Sequence, residues 1–383
     1  MTINLKKQLM SILRTVTEPV LLLDEKKCRN NIQRMADKAK RNNIRLRPHF
    51  KTHQSRHIAE WFREAGVNCI TVSSLRMATY FAEQGWKDIT VAFPVNTLEH
   101  ERINRLARNL NLNLIVADLE AARLLSATVR YPVQLWIKVD SGSRRTGVLP
   151  EDNKTVDAIL EVINVSASLS FRGFLTHAGQ SYNCRSRDEI MNVHRKTVAL
   201  MTDLAERYRS AFPGLEISTG DTPTCSVAED FSMVDEIRPG NFVFYDLTQA
   251  LVTACEKRDI AVAVACPVVA KHADRNEIIL YGGGIHFSKE YLDPGDGKKI
   301  FGELVRLSDN GWSEPLEGCY VSKLSQEHGT LKVTDEVFSQ ISVGEVVAIL
   351  PVHSCMTANL LAGYITLSGK RFEYFDAKRE YYM

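Results

Sequence analysis

Apolar residues in this chain come in short runs, and between the runs they recur at helical spacing. Pro19-Val-Leu-Leu-Leu-Asp24 is the first run. Lys26 to Arg41 then reads as a basic amphipathic helix with Ile32 and Met35 on one face. Ile44 to Phe50 predicts a strand, and a helical pattern follows from Ser55 to Ala65, ended by Gly66. Asn68–Val72, Asp88–Phe93, Leu112–Val116, Val133–Val139, Ser168–Thr176, Leu215–Ser218 and Asn241–Tyr245 predict further strands. The helices between them are predicted from Ser74 to Gln84, Thr97 to Asn109, Asp118 to Ala127, Lys154 to Val165 and Arg187 to Arg209. Such alternation builds a parallel sheet with right-handed crossovers, and eight of these strands would close a barrel.

The pattern changes after about Lys257. Ala261–Ala270, Glu277–Tyr281, Gly318–Leu324, Thr330–Val333, Glu345–Leu350 and Leu361–Leu367 are short β-like runs with no long helix between them. The expected class is therefore α/β: a (β/α)8 barrel over residues 25–250, and a β-rich domain made of 251–383 plus 1–24. The run at Pro19–Leu23, one strand too many for the barrel, is assigned to the second domain.

Composition narrows the function. The 48 basic and 46 acidic side chains nearly balance, which leaves no broad basic footprint for nucleic acid. No run of about 18 apolar residues is present to span a membrane. Met1 to Thr15 carries lysines without a sustained apolar segment, so no secretory signal is expected. The eight cysteines are scattered with no Cys-x-x-Cys pair and read as reduced thiols of a cytoplasmic protein.

Barrel chemistry gathers at the C-terminal ends of the strands, and polar residues collect there. Lys51 follows the first barrel strand in Arg47-Pro-His-Phe-Lys-Thr-His53. Two flanking histidines and two upstream arginines would press its amine toward the neutral, nucleophilic form that Schiff-base chemistry needs. Ser73, Asp140–Gly147, His177–Tyr182 and Ser218–Thr224 follow later strands, and Arg238–Asn241 leads into the expected eighth. Ser218-Thr-Gly-Asp-Thr-Pro-Thr224 combines Gly220 with several hydroxyls and a helix start near Pro223, which suits either a plain helix cap or a phosphate cradle. Beside Gly240-Asn241 the cradle is the better reading. In the second domain, Gly282–Gly284 is more often a tight turn than a site, and Gln326–Gly329 is a compact polar group. His353-Ser-Cys355 offers an imidazole and a thiolate, which suits zinc or another divalent metal. On an extended segment the two would point to one side. Two protein ligands leave room for water or substrate, which marks a catalytic rather than a closed structural site.

Arg47-Pro-His-Phe-Lys-Thr-His53 resembles the cofactor-lysine segment of the alanine-racemase-like, fold-type III pyridoxal phosphate (PLP) enzymes. Pro351-Val-His-Ser-Cys-Met-Thr-Ala-Asn-Leu360 resembles the zinc pair of D-serine dehydratases and D-threo-3-hydroxyaspartate dehydratases, whereas D-threonine aldolases favour an aspartate at the second ligand position. The resemblance runs from about Pro19 to Leu367. It implies Lys51 as the cofactor lysine, Arg145 near the ring hydroxyl and Tyr182 facing the pyridine nitrogen; His177 is equally a cofactor contact or a satisfied core histidine. Thr222, Gly240 and Asn241, with Gly220, match the phosphate positions, and His353 and Cys355 the metal ligands. The function implied is a zinc-assisted dehydratase of a D-3-hydroxy amino acid, D-serine foremost, working as a homodimer. An aldolase, a racemase and a PLP carrier are the alternatives.

Overall fold

The computed structural model describes residues 13–308 and 311–375. The start of the N-terminal stretch inspected for a signal, and the end of the expected β-rich domain, lie outside the described residues. Two compact units divide these residues. One takes the chain up to Ile32 and from Asn241 onward, and the other takes Gln33–Gly240. The strands in chain order are β1 Val20–Leu23, β2 Arg45–Leu46, β3 Cys69–Val72, β4 Asp88–Pro94, β5 Asn111–Val116, β6 Val133–Val139, β7 Leu169–Thr176, β8 Glu216–Thr219 and β9 Glu236–Ile237. Then follow β10 Val262–His272, β11 Glu277–Tyr281, β12 Gly302–Ser308, β13 Gly311–Leu324, β14 His328–Lys332, β15 Val346–Pro351, β16 Gly363–Thr366 and β17 Arg371–Glu373.

The Gln33–Gly240 unit is the barrel. Its eight parallel strands run in the order β2-β9-β8-β7-β6-β5-β4-β3. A parallel bridge between His49 and Thr71, with Phe50 N–H on the Thr71 carbonyl at 2.8 Å, links β2 back to β3. The helices between strands start on side-chain caps that the sequence supplies: Ser74, Asp118, Asp152, Ser186 and Asp221 each accept a main-chain N–H three residues on.

The expected eighth strand, Asn241–Tyr245, is not one. Asn241–Val243 is a single 3-10 turn, in which the Asn241 carbonyl accepts the Phe244 and Tyr245 N–H groups at 3.0 and 2.8 Å. A buried apolar run has the same signature whether it is a strand or a compact turn, and Phe242, Val243 and Phe244 are fully buried. The actual eighth strand, Glu236–Ile237, carries a buried carboxylate. That polar residue masks the strand in the sequence.

The charge has a partner. Glu236 Oε2 accepts from Arg47 Nε at 2.6 Å and Arg45 Nε at 2.7 Å, and Arg47 reaches Asp88 at 2.5 Å. Arg45 and Arg172 also close on Glu216. Arg45, Asp88, Glu216 and Glu236 are each the first residue of a barrel strand, so this network laces the N-terminal end of the barrel, opposite the chemistry. Burial disfavours the Glu236 charge, but Arg47, Arg45 and Arg238 outweigh it and hold the carboxyl down to about 2.

The other unit centres on a nine-stranded sheet in the order β11-β14-β13-β12-β15-β10-β1-β16-β17. The run at Pro19–Leu23 does join it: β1 lies antiparallel to β10 and parallel to β16. The glycine run is structural. A Cβ on Gly283 would lie 2.2 Å from the Gln326 carbonyl oxygen, and Gly282 N–H binds the Glu327 carbonyl. That contact also accounts for the Gln326–Gly329 group.

Candidate active site

Lys51 sits on a turn whose neighbours are anchored. Phe50 packs within about 5 Å, ring to ring, of Phe62, Phe81 and Trp86, and His53 meets Phe50 at 4.5 Å. Thr52 and His53 are fully buried, while Lys51 is exposed. Gln54, buried in the left-handed region at φ 43°, donates from its side chain to the Lys51 carbonyl at 3.0 Å.

The residues expected to press on the Lys51 amine are not free cations. Burial keeps His53 neutral, down to about 3, and takes His49 well below its usual range with help from Lys51 and Arg238. Arg45 and Arg47 are paired with carboxylates. Adjacency in sequence misled here because Lys51 lies exposed on a turn while the histidines and arginines around it are buried or paired.

The loops after β6, β7 and β8 converge. Ser141 Oγ accepts from Thr176 Oγ1 at 2.8 Å, and the Ser141 carbonyl accepts from Gln180 Nε2 at 2.9 Å. His177 Nδ1 lies 2.5 Å from the Gly220 carbonyl and so carries its proton there. Burial holds His177 neutral, down to about 3, with Arg145, Lys138 and Lys51 adding to the effect. Tyr182 has its ring 6.2 Å from that of His177, and its hydroxyl accepts the Thr222 N–H at 3.5 Å. Buried Lys138 is lowered to about 7 by desolvation and by Arg238 and Arg145.

The helix Thr222–Val227 starts where expected, with Asp221 as its cap. Asp221 also accepts from Ser181 Oγ at 2.8 Å, and burial raises its carboxyl to about 6. Gly220 and Gly240 are required by chain crossing: a Cβ at 220 would stand 2.7 Å from Arg238 N, and one at 240 would stand 2.9 Å from His49 Cβ. Lys51, Arg145, His177, Tyr182, Gly220, Thr222 and Gly240 are thus brought together in one unit. Thr222 Oγ1 is buried without a hydrogen-bond partner. An unsatisfied buried hydroxyl is unfavourable, and a phosphate oxygen would relieve it, so these residues fit the phosphate of PLP.

Asn241, His353 and Cys355 belong to the other unit, where they too are brought together. The expected extended His-x-Cys is not found. His353 caps the helix Ser354–Leu361 and Cys355 lies in its first turn. That turn sets the two side chains near each other, and Glu290 Oε2 closes on His353 Nδ1 at 2.5 Å. Burial opposes charge on His353, but Cys355, Glu290 and Asp246 outweigh it and push its imidazolium up to about 11. An imidazole and a thiol beside a carboxylate are a donor set that fits a borderline-soft divalent metal. No cluster of three or more His, Cys, Asp or Glu suited to a metal occurs among the described residues. Lys138, Asp246 and Glu290 escaped the sequence reading, because none sits in a recognisable spacing with its partners.

Residues 23–247 match the family of the "Alanine racemase, N-terminal domain". The chain belongs to that family. Residues 261–367 match the "Putative serine dehydratase domain". The D-threo-3-hydroxyaspartate dehydratase of Delftia sp. (strain HT23) is 29% identical over 372 residues, 93% of this chain and 95% of the relative. Its structure superposes with a TM-score of 0.87 at 28% identity, covering 95% of this chain and 99% of that one. A cysteine-to-alanine variant of D-threo-3-hydroxyaspartate dehydratase, described as metal-free, gives a TM-score of 0.88 at 28% identity, with coverage of 95% and 99%. The D-serine dehydratase of Dictyostelium discoideum is 26% identical over 376 residues, 92% of this chain and 93% of the relative. The fold is thus that of the alanine-racemase-like, fold-type III PLP enzymes, and the chain is an enzyme of the D-serine dehydratase-like lyases.

Proposed function

We propose that this alanine-racemase-family lyase is a PLP-dependent, zinc-assisted dehydratase of D-3-hydroxy amino acids, with D-serine as its leading substrate and pyruvate and ammonia as products. The observation that carries the reading is the placement of His353 and Cys355 at the start of one helix, in a chain similar over nearly its full length to D-threo-3-hydroxyaspartate and D-serine dehydratases. A metal-free cysteine variant of D-threo-3-hydroxyaspartate dehydratase is in keeping with a cysteine ligand. A homodimer acting in the cytoplasm is part of the proposal. Among the described residues no helix is long and apolar enough to cross a membrane.

When bound, PLP supplies an electron sink for the α-carbanion, and a divalent metal supplies a Lewis acid for the β-hydroxyl. The rest falls to the chain. Lys51 Nζ would hold the cofactor and, once free, would take the α-proton. Thr222 Oγ1 would donate to the phosphate, with Gly220 and Gly240 leaving room for it. Neutral His177 keeps its Nδ1 proton on the Gly220 carbonyl and fixes that loop. Arg145 would serve the ring hydroxyl. Tyr182 would serve the ring nitrogen, where a phenol withdraws less electron density than an acid would. His353 and Cys355 hold the metal.

Incubation with D-serine and D-threonine tests the reading. Pyruvate and 2-oxobutyrate are expected, whereas glycine and acetaldehyde from D-threonine would make the chain an aldolase. Recovery of racemised substrate would make it a racemase, and turnover of neither would leave a carrier.

A further inference from the structure

The resemblance places Asn241 at the cofactor phosphate, yet its side chain is committed elsewhere. Asn241 Nδ2 lies 2.6 Å from Asp246 Oδ2, 3.1 Å from Ser354 Oγ and 3.5 Å from Cys355 Sγ. Asp246 Oδ2 in turn accepts the Ser354 main-chain N–H at 2.9 Å and the Ser354 hydroxyl at 3.2 Å. Ser354 is the residue between the two proposed metal ligands. Asn241, Asp246 and Ser354 are all buried. An amide nitrogen has two hydrogens, and here three acceptors already surround it, so none is left for a phosphate.

We propose that Asn241 and Asp246 are positioning residues of the His353–Cys355 metal pair. The Asn241 amide donates to the Cys355 sulfur, and the Asp246 carboxylate fixes the peptide between the ligands. A donor aimed at a thiolate favours its charged, ligating form, and a fixed peptide spares the metal the cost of ordering the turn. The inference rests on the metal reading above and adds the groups that aim its ligands.

The full chain, stripped of metal, is titrated with Zn²⁺ by calorimetry and with Cd²⁺ by the thiolate-to-metal absorbance band, as wild type, Asn241→Ala and Asp246→Asn. PLP affinity is measured separately on the metal-free proteins. Each variant is expected to bind Zn²⁺ about 10–100-fold more weakly, with a reduced Cd²⁺–thiolate band. PLP affinity is expected to stay within about threefold, since the phosphate loses no side-chain donor. Asp246→Asn keeps an acceptor oxygen for the Gln249 N–H that Asp246 caps, so it remains informative should Asn241→Ala fail to fold. Unchanged Zn²⁺ affinity in the variants, or loss of PLP with Zn²⁺ binding intact, overturns the assignment. A wild type with no Cd²⁺–thiolate band sinks the metal reading itself and this inference with it; a normal wild-type band matched by both variants removes only the positioning role.

Discussion

A primary amine serves as a cofactor ligand only if its main chain is held still. Phe50, Thr52 and His53 do this by burying themselves on either side of Lys51, while Gln54 clamps its carbonyl. Lys51→Ala is expected to abolish both turnover and the absorbance of the lysine-linked cofactor; a cofactor still trapped on the variant by borohydride would refute the assignment. Thr222→Val separates a phosphate ligand from a helix residue. Its buried hydroxyl has no partner in the protein, so removing it should leave the cofactor-free melting temperature unchanged or slightly raised. Bound to a charged phosphate, the same hydroxyl is worth about 1.5–3 kcal/mol, so PLP should bind about 10–100-fold more weakly. Equal PLP affinity in Thr222→Val and wild type would return the segment to a plain cap.

At the level of elements, the N-terminal ends of the strands carry the structural charge. Glu236 is held low by its arginines, so its contribution to stability is complete above its ordinary value of 4.5 and is lost as pH falls toward about 2. Asp221 has the opposite sign: its raised carboxyl makes ionisation costly as pH climbs from 3.8 to about 6. Urea midpoints should therefore fall steeply below pH 4.5. Glu236→Gln should flatten that fall while losing about 3 kcal/mol at pH 7, because buried Arg47 then keeps only Asp88 as a carboxylate partner. An acid limb identical in the variant would assign it to other groups. The same strands explain what was legible beforehand. Periodicity reveals a strand when its burial is apolar, as in Val133–Val139, and so Lys51, His177 and Thr222 could be located by counting strand ends. It fails where burial is ionic, as at Glu236, or where a buried apolar run turns, as at Phe242–Phe244. The His-x-Cys spacing was visible, but its helical geometry was not, since nothing local distinguishes a cap at His353 from the end of a strand.

For the whole molecule, the metal should govern chemistry more than folding. The described residues around His353 and Cys355 do not assemble a four-ligand structural centre, and the sheet beside them has an apolar core of its own, with Val264, Leu280, Val321 and Ile349 fully buried. Chelation or Cys355→Ala is expected to leave circular dichroism and PLP absorbance nearly intact. Elimination should slow by a hundredfold or more, on the order of 3 kcal/mol of barrier, because hydroxide leaves poorly without a Lewis acid. Exchange of the α-proton with solvent deuterium needs only Lys51 and PLP and should survive better than product release. A metal-free chain that unfolds, or that eliminates at the normal rate, contradicts the catalytic role.

The place of β1 has a consequence during synthesis. Val20 pairs with Ala265 and Leu22 with Ile365, so a strand made among the first residues finds its neighbours only after most of the polypeptide has left the ribosome. Until then Leu21, Leu22 and Leu23, fully buried in the finished sheet, are an apolar tether at the front of a nascent barrel that already has all eight of its own strands. Closing so wide a loop is slow. Until β10 and then β16 emerge this apolar strand lacks its neighbours, and an unpaired apolar strand is what makes a nascent chain prone to aggregate.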